Sequence, residues 1–327
     1  MTMETDPAAA GAGAAPPRVT VSVVICTFNR LAMLRRAVRT ARDQRLPKGV
    51  SAEVVVVDNS PDGNAGPALA LWAAEDGLPL RALAHPVPNI SHARNRGVAG
   101  TAGELLVFLD DDEWCGPGWL AALVGTAERT GADVVFGAVL PDFPDGPPAW
   151  DPSGRPYERR LAAPDGTRMG IRHDAQASGR WIGTGNALLR RATCLSDPAP
   201  FDPSLGRSGG EDFDLFVRLD RRGRRMVWCG AAVVHETVPA DRAAWRYMVT
   251  RHFRGGQQWA TITVRRAPRP VIAALSVTAR ALAQLALVGA GWAVARLGGA
   301  PDAGARPLKL AQVAGKLLWW RLPRTHR

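Results

Sequence analysis

The stretch ELLVFLDDDE at residues 104–113 joins an apolar run directly to three consecutive aspartates and a glutamate. An unbroken run of Leu, Val and Phe is typical of a strand buried in a parallel sheet. Three adjacent carboxylates repel one another and would destabilise a plain loop. A divalent cation relieves that repulsion, and Mg²⁺ is often held by one or two carboxylates together with substrate phosphates. The stretch therefore predicts a buried strand that ends at a metal site, with a solvated acidic turn as the alternative.

Strand and helix patterns alternate on both sides of this stretch. The predicted strands are 19–28, 52–58, 80–85, 104–110, 132–140 and 225–235, and the predicted helices are 31–44, 91–102 and 211–222. Ser91 is the expected N-cap of the second helix. Residues 141–180 are rich in Pro, Gly, Asp and Arg and predict a long functional loop or a small subdomain, after which order returns at 181–191. The alternation indicates an α/β architecture with a largely parallel sheet.

Acidic residues end, or closely follow, several predicted strands. Asp58 ends the strand 52–58, where a carboxylate can accept hydrogen bonds from the base or ribose of a nucleotide. A turn-forming role next to Asn59-Ser60-Pro61 is the alternative. Because ligands of open α/β sheets bind at the carboxyl ends of strands, we expect these acids to border one cleft.

Glu211 and Asp212 follow a Gly-Gly pair at the start of a predicted helix. A carboxylate can take the proton from an attacking hydroxyl, and we assign this general-base role to Asp212. Glu211 would orient the base or hold the acceptor. The alternative is that both acids only interact favourably with the helix dipole.

Three further polar residues are candidates for the same cleft. Arg94 could meet a diphosphate because a guanidinium matches phosphate geometry, and Asn95 lies beside it. The alternative for this pair is a solvated helix face. His235 ends the strand 225–235, where a neutral imidazole could complete the coordination of a metal, although a lone histidine often has no such role.

The net charge of +11 is unevenly distributed along the 327 residues. Residues 239–327 hold 15 of the 41 Lys and Arg but only two of the 30 Asp and Glu. Such a basic segment attracts the phosphates of nucleic acid or of anionic lipid. Long Ala, Leu and Val runs with Trp292, Trp319 and Trp320 favour a bilayer interface. No nucleic-acid-binding motif is present, so we expect an anionic membrane surface as the partner of residues 268–327 and no nucleic acid.

Residues 270–295 are apolar apart from Arg280, Gln284 and a few small polar residues. The uncharged run 281–295 is 15 residues long, short of the roughly 20 needed to span a bilayer. An arginine near the middle would add about 2.5–3.5 kcal/mol to the free energy of insertion. We therefore expect an in-plane or half-inserted helix rather than a true span. Residues 306–324 have the composition of an interfacial helix, with docking on the protein's own surface as the alternative.

The N-terminal residues and the cysteines indicate the cellular compartment in which the protein is expected. Residues 1–17 have few large apolar side chains and no apolar core of a signal peptide, so a disordered tail is expected. The four cysteines form no C-x-x-C pair, and a disulfide framework or a thiolate metal site is not expected. A reducing cytoplasm fits this usage.

Six segments, in order, resemble the inverting glycosyltransferases of family 2, which have the GT-A fold: VSVVICTFNR, VVVVDNS, NISHARNRGV, LLVFLDDDE, WIGTGNALLRR and GGEDFDLFVRL. The stretch from GGED through QQWA, residues 209–260, also resembles bacterial exopolysaccharide glucosyltransferases of the succinoglycan type. The resemblance implies a GT-A catalytic domain at residues 18–240, with a Rossmann-like, mixed and mostly parallel sheet flanked by helices. A helical, membrane-associating extension would follow at residues 241–327.

The resemblance also implies a role for each residue that matches the family pattern. Asp212 would be the base and Glu211 its neighbour. Asp112 would hold the metal, with His235 as a further metal or diphosphate contact. The nucleotide-sugar would contact Thr27, Phe28, Asn29 and Asp58 around the base, Asp110 and Asp111 at the ribose and diphosphate, and Arg94 and Asn95. The donor sugar or the acceptor would face Trp181, Gly183, Gly185 and Asn186.

The implied reaction moves a hexose from a nucleotide-diphosphate sugar, most simply a UDP-sugar, to a saccharide or lipid-linked acceptor in exopolysaccharide or cell-envelope glycan synthesis. It would be a single displacement with inversion, dependent on Mg²⁺ or Mn²⁺, at the inner face of the cell membrane. The Q-x-x-R-W sequence of processive synthases is absent, so one sugar per encounter is expected. Two alternatives stay open: a non-catalytic nucleotide-sugar-binding membrane partner and a metal-dependent nucleotidyltransferase.

Overall fold

The computed structural model describes residues 19–171, 182–298 and 306–321. Its strands are β1 (Val19–Thr27), β2 (Val50–Asp58), β3 (Leu80–Ala84), β4 (Leu105–Asp110), β5 (Glu113–Cys115), β6 (Val134–Asp142), β7 (Arg168–Met169), β8 (Ala187–Arg190) and β9 (Met226–Thr237). Its helices are α1 (Leu31–Arg42), α2 (Gly66–Ala73), α3 (Ile90–Ala99), α4 (Trp119–Thr130), α5 (Arg191–Cys194), α6 (Glu211–Arg221), α7 (Ala240–Ala243), α8 (Trp245–Arg265), α9 (Pro270–Leu297) and α10 (Arg306–Leu317).

The strands form one mixed sheet in the order β3-β2-β1-β4-β8-β6-β9-β5, with β7 also paired to β9. The pairs β3–β2, β2–β1, β1–β4 and β6–β9 are parallel, because a helix connects successive strands in most of this region. The short strand β8 runs antiparallel to β4 and β6, and β5 runs antiparallel to β9. The predicted α/β class with a mostly parallel sheet is confirmed.

The hydrophobic core lies on both faces of the sheet. The central strands are apolar at consecutive positions, as with Val23, Val24 and Ile25, because helices cover both sides. Helix α1 buries Leu34 and Val38 one turn apart against one face. This packing fixes the carboxyl ends of β1, β2 and β4 at one edge of the sheet.

Helix α3 begins one residue earlier than predicted and has a different cap. Asn89 is the N-cap, and its side chain accepts a hydrogen bond from the backbone N–H of His92 at 3.2 Å. Ser91 lies inside the first turn, where its hydroxyl donates to the carbonyl of Asp202 at 2.9 Å. The prediction of Ser91 as the cap was therefore wrong, because its hydroxyl bonds a distant loop instead of its own helix.

The segment after β6 is a folded loop over the part that the structure describes. It contains a 3₁₀ turn at Arg155–Tyr157 and the short strand β7. The backbone of Arg159 pairs with that of Val139, with N–H···O distances of 2.8 and 3.0 Å. This pairing returns the chain alongside β6 and brings Arg159 to the edge of the sheet where the acids lie.

Helices α8, α9 and α10 pack against one another after the sheet. Helices α8 and α10 cross closely at two glycines: a Cβ on Gly256 would lie 2.0 Å from the carbonyl oxygen of Gln312, and one on Gly315 would lie 1.9 Å from that of Phe253. Helix α9 is 28 residues long and apolar enough to cross a membrane, and only 11% of its most apolar 18-residue window is buried.

Candidate active site

The carboxyl ends of β1 and β4 and the start of α6 meet at one edge of the sheet. Pairing of β1 with β4 sets Cys26 beside Asp110. Arg94 of α3 is buried and reaches both groups of acids: Nη1 donates to Oε1 of Glu211, and Nη2 lies 3.7 Å from Oδ1 of Asp110. One guanidinium therefore joins the aspartate triplet to the Glu211-Asp212 pair, and acids far apart in sequence border one cleft.

Asp111 and Asp112 are buried, and arginines from outside the triplet bind both of them. Asp111 accepts hydrogen bonds from the Thr27 hydroxyl at 2.9 Å and from Nη1 of Arg30 at 3.1 Å. Oδ2 of Asp112 accepts from Arg30 at 3.2 Å and from Nη1 of Arg242, in α7, at 2.6 Å. Burial of adjacent carboxylates is tolerated here because each one has a cationic partner.

Asp110 is more accessible than its neighbours, with 43% of its side chain exposed. Beside it, the fully buried Glu113 accepts from Nη2 of Arg159 at 3.0 Å and from the backbone N–H of Asp110 at 3.0 Å. Burial, and then repulsion by Asp110, raise the pKa of Glu113 well above its usual range. Glu236 lies opposite Glu113 across the β5–β9 pair. Arg159 therefore lies among acids: it binds Glu113, and the charges of Glu236, Asp110 and Asp212 also favour its charged form.

Asp212 is the accessible member of the pair at the start of α6. Glu211 is 4% exposed, whereas Asp212 is partly exposed and its Oδ1 accepts the backbone N–H of the next residue at 2.7 Å. A Cβ at Gly183 would lie 3.5 Å from Oδ2 of Asp212 and 2.5 Å from Nη1 of Arg159. An incoming hydroxyl can therefore approach Asp212 more readily than Glu211.

Gly185 lies against the acids because it has no side chain. A Cβ there would lie 2.6 Å from Oδ2 of Asp110 and 2.7 Å from Oε1 of Glu113. The structure thus places Gly183 and Gly185 at the border of the acidic cluster, against Asp212, Asp110 and Glu113. Their contact with a sugar stays a prediction.

Burial also raises the pKa of Asp111 and of Glu211. The pKa of Asp111 is raised to about 6, chiefly by loss of hydration, with Arg30 opposing the rise and Asp112 adding to it. The pKa of Glu211 is raised to about 7, again chiefly by burial, with Arg94 opposing and Asp212 adding. Groups that favour the charged form, such as a bound cation, would lower both values.

Beside this acidic cluster, and sharing Asp111 with it, a cleft of about 550 Å³ opens at the end of β1, within the size range of small-molecule sites. Its lining comes from the end of β1, the starts of α3 and of the loop before α6, and helix α8: Cys26, Thr27, Phe28, Asn29, Arg30, Asn59, Pro88, Asn89, Ile90, Asp111, Gly206, Arg207, Ser208, Gly209, Arg254 and Gln258. The three residues predicted to surround a base, Thr27, Phe28 and Asn29, are among them.

Asp58 does not line this cleft. Its Oδ1 accepts from the backbone N–H and the hydroxyl of Ser60 at 2.9 and 2.5 Å, and its Oδ2 accepts from the N–H of Ala65 at 2.8 Å. These contacts match the turn-forming alternative, and a nucleotide contact by Asp58 stays a prediction. Asn59, the next residue, lines the cleft instead.

His235 lies on the other face of the sheet from the acids. Side chains alternate along a strand, and β5 and β9 set Glu113 opposite Glu236 and Trp114 opposite His235. The imidazole stacks on the Trp114 ring at 4.2 Å, and burial lowers its pKa. In this structure His235 packs on Trp114, and its role as a metal ligand stays a prediction, whereas Glu236 is the residue of β9 that lies on the same face as Glu113.

Two asparagines predicted at the site have structural contacts. The amide of Asn95 bonds the backbone N–H and carbonyl of Phe201 at 2.9 and 2.8 Å. The fully buried Asn186 accepts from the indole of Trp119 at 2.7 Å and donates to two backbone carbonyls on β6 and β9. Direct contact with substrate would require these networks to open. Trp181, also predicted at the site, lies outside the described residues.

Two carboxylate oxygens fit a hard divalent cation. Arg30 and Arg242 both bind Oδ2 of Asp112, and Oδ1 of Asp112 accepts no hydrogen bond from any described residue. Arg94 lies near Oδ1 of Asp110, and Oδ2 of Asp110 likewise accepts no hydrogen bond from any described residue. The described ranges contain no cage of three or more His, Cys, Asp or Glu. This donor set suits Mg²⁺ or Mn²⁺, which take one or two carboxylates and fill the remaining positions with water and phosphate oxygens.

Sequence patterns did not identify Arg30, Arg159, Glu236 or Arg242 as members of the site. Glu236 could have been found from strand alternation had the β5–β9 register been known. Arg30 follows the predicted Asn29 directly. Arg159 and Arg242 lie in a loop and a short helix without periodicity, and no sequence signal marks them.

Comparison with known proteins agrees with this geometry. The family described as Glycosyl transferase family 2 matches residues 22–182. The chain is 32% identical over 247 residues to the succinoglycan biosynthesis protein ExoM of Rhizobium meliloti (strain 1021), covering 76% of each chain.

Solved structures resemble the fold at low sequence identity. The mannosyltransferase PcManGT from Pyrobaculum calidifontis, in complex with GDP-Man and Mn²⁺, has a TM-score of 0.56 and 20% identity over 94% of this chain and 89% of that one. TarS 1-349 of S. aureus, in complex with UDP-GlcNAc, has a TM-score of 0.54 and 14% identity over 78% of this chain and 69% of that one. The identity to ExoM and the match to the family together establish that the chain belongs to glycosyltransferase family 2 and is a glycosyltransferase of the GT-A fold.

Proposed function

We propose that the enzyme transfers a hexose from a UDP-sugar to a saccharide or lipid-linked acceptor, with inversion and with the help of Mg²⁺ or Mn²⁺. The observation that carries this proposal is the contact of Arg94 with both Glu211 and Asp110. It supports a single site in which the acid that accepts a proton and the acids that hold a metal lie on opposite sides of one substrate. Similarity to ExoM supports a role in exopolysaccharide synthesis.

In this mechanism Asp212 accepts the proton of the acceptor hydroxyl as the oxygen attacks the anomeric carbon. Arg94 holds Glu211 in place next to the base, and its positive charge also lies near the leaving diphosphate. Asp110 and Asp112 would hold the cation, which supplies charge neutralisation of the leaving group when bound. Direct attack from the side opposite the leaving group inverts the anomeric configuration.

We further propose that helix α9 attaches the enzyme to the cytoplasmic face of the membrane. Large apolar side chains on α9 are exposed, among them Leu275 at 67%, Leu287 at 74% and Leu297 at 90%. Residues 239–327 are strongly basic, which suits a surface of anionic lipid. An enzyme held there would meet a lipid-linked acceptor directly.

The test is a transfer assay on a panel of nucleotide sugars with Mg²⁺ or Mn²⁺, scored for release of the nucleoside diphosphate. The D212N variant should lose about 10²–10⁴-fold in kcat, because it removes a general base. The D220N variant is the matched control: it makes the same change on the same helix, about 12 Å further along at 1.5 Å per residue. It should keep the activity of the wild type.

Three outcomes would contradict the proposal. They are unchanged kcat in D212N, release of pyrophosphate instead of a nucleoside diphosphate, and retention of anomeric configuration in the product by NMR. Unchanged activity after removal of divalent cations by a chelator would contradict the metal requirement alone.

A further inference from the structure

Helix α8 contributes to the cleft although it follows the whole sheet in sequence. Arg254 and Gln258, one turn apart on α8, both line the cleft opposite the end of β1. Gln258 also fixes the neighbouring loop, because its Nε2 donates to the carbonyl of Ser208 at 2.8 Å. This side of the cleft is therefore formed by a helix and a loop that are bound to each other.

Glycines allow this loop to lie so close to α8. Gly209 and Gly210 have φ values of +79° and +93°, in the left-handed region that other residues rarely adopt. A Cβ on Gly209 would lie 2.5 Å from Nε2 of Gln258. The close approach of the glycines and the hydrogen bond of Gln258 to Ser208 together fix α8, and with it the backbone of Arg254, against the loop.

The charges that line this 550 Å³ cleft at the end of β1, unlike those of the acidic cluster beside it, are mainly positive. Arg30, Arg207 and Arg254 contribute three guanidinium groups, and Asp111 contributes the one carboxylate among the lining residues. Asp111 is already bound by Arg30 and Thr27. Arg254 forms no ion pair or hydrogen bond with any residue in the described ranges. A partly buried guanidinium that has no partner among the described residues, in a cleft of positive charge, suits an anionic ligand.

We propose that Arg254 binds the diphosphate of the nucleotide donor. The inference rests on the proposed function, and it adds a donor-binding residue from outside the six segments that resemble the family. Thr27, Asn29 and Asn59, at the carboxyl ends of β1 and β2, line the same cleft where nucleotides bind in open α/β sheets. A planar guanidinium can bind two phosphate oxygens at once, which a point charge cannot do.

A lipid-linked acceptor can carry the same diphosphate chemistry, so the experiment must separate the two sources. Equilibrium binding of UDP and of GDP is measured on the full-length wild type and on the R254A and R254K variants. Uridine and guanosine serve as probes that lack phosphate, and farnesyl diphosphate serves as a probe that lacks a nucleoside. The R251A variant removes the same charge from an exposed position on the same helix and is the matched control.

The R254A variant should weaken binding of the preferred nucleoside diphosphate by about tenfold or more and leave binding of the corresponding nucleoside unchanged. The R254K variant should recover only part of the loss, and R251A should bind as the wild type does. Circular dichroism should show full helix content in R254A, since alanine is a good helix former.

Several results would overturn the inference. They are wild-type affinity of R254A for UDP and GDP, equal losses for nucleoside and diphosphate, a loss confined to farnesyl diphosphate, or no binding of either nucleotide by the wild type. Failure of the proposed function is a separate result: a wild type that releases no nucleoside diphosphate from any donor, while its binding of UDP or GDP still depends on Arg254.

Discussion

At the scale of single residues, arginines neutralise the acids of the cleft by bridging them in pairs. Arg30 contacts Asp111 and Asp112, Arg94 contacts Asp110 and Glu211, and Arg242 contacts Asp112 and Glu236. A guanidinium can do this because its donors spread over a planar fork, whereas an ammonium is a single point of charge. The acids can therefore be buried close together without losing their charge-balancing partners.

The close contact at Gly185 leads to a first prediction. In the G185A variant the new methyl group would press on Oδ2 of Asp110 and Oε1 of Glu113. Asp110 is partly exposed and can move, so the fold should survive while the carboxylate is displaced from the position in which it would hold a cation. Displacement by about 1 Å can reduce activity roughly 10²-fold. We expect a decrease of that order in kcat/KM, measured at saturating metal.

The control for this variant is G125A. Gly125 lies within α4, and a Cβ there would meet no atom within 4 Å. Its activity should equal that of the wild type, and its stability should rise by up to about 1 kcal/mol because alanine favours a helix over glycine. Wild-type kcat/KM in G185A would refute the prediction, as would a loss of near-UV circular dichroism that points to unfolding.

At the scale of secondary-structure elements, the sequence predicted the strands and helices that bury regular apolar patterns. Strands β1, β2 and β4 contain the apolar runs VVI (23–25), VVVV (54–57) and LLVFL (105–109), and the ends of these strands were predicted to within a few residues. The antiparallel insertion of β8 between β4 and β6 could not be predicted, because strand order depends on which edges meet in three dimensions.

The same limit explains which site residues were found. An apolar run marks a buried strand in the sequence, and the acids that directly follow the run therefore stand at the end of that strand. This reasoning identified Asp110, Asp111 and Asp112. Which of His235 and Glu236 faces the cleft depends on the register with β5, and a shift of one residue exchanges the two faces. Arg159 arrives through backbone pairing of a loop with Val139, which has no periodic signature.

The contact between α10 and its neighbouring helices leads to a second prediction. Lys316 is 5% exposed, with its ammonium 3.0 Å from Oε1 of Gln284 on α9 and 4.8 Å from the centre of the Trp259 ring on α8. Burial, and then repulsion by Lys309, lower the pKa of Lys316 from 10.5 to about 8. Since the folded chain releases this proton more readily than the unfolded chain, the free energy of unfolding should rise between about pH 8 and pH 10.5.

The K316M variant should not show this rise in the free energy of unfolding with pH, because methionine has no proton to release. Below pH 8 the charged lysine is buried at a cost of about 3 kcal/mol, so K316M should be more stable by up to that amount at pH 7. The advantage should disappear above about pH 10.5, where the lysine is neutral in both states. Urea unfolding across this pH range measures both effects. A constant difference between K316M and wild type at every pH would contradict the prediction.

At the scale of the whole molecule, the basic charge and the exposed apolar surface lie on the same C-terminal helices. Arg280 is exposed rather than packed against α8 or α10, so it does not interrupt the packing that holds α9 in place. At about 1.5 Å per residue, the 28 residues of α9 measure about 42 Å. Its length and composition thus allow a span, whereas the sequence favoured an in-plane helix, and this choice stays a prediction.

Flotation with anionic liposomes tests the attachment without removing a helix. Leu275 and Leu282 lie seven residues apart on one face of α9, with exposed fractions of 67% and 54%. The L275E/L282E double variant should no longer float, because it places two negative charges on the apolar face. The L71E variant, at a side chain 73% exposed on α2, should float as the wild type does. Equal flotation of all three proteins would exclude α9 as the attachment surface.

The position of Arg242 and Arg254 beyond the last strand has a consequence for how such enzymes diversify. Arg254 lines the cleft and Arg242 binds Asp112 beside it, yet both arginines belong to the segment that leads into α9. A chimaera that joined the sheet of this chain to the C-terminal helices of a distant relative would exchange part of the cleft as well as the apolar helix. Gene fusion in this family would therefore transmit the two features together, as one heritable unit.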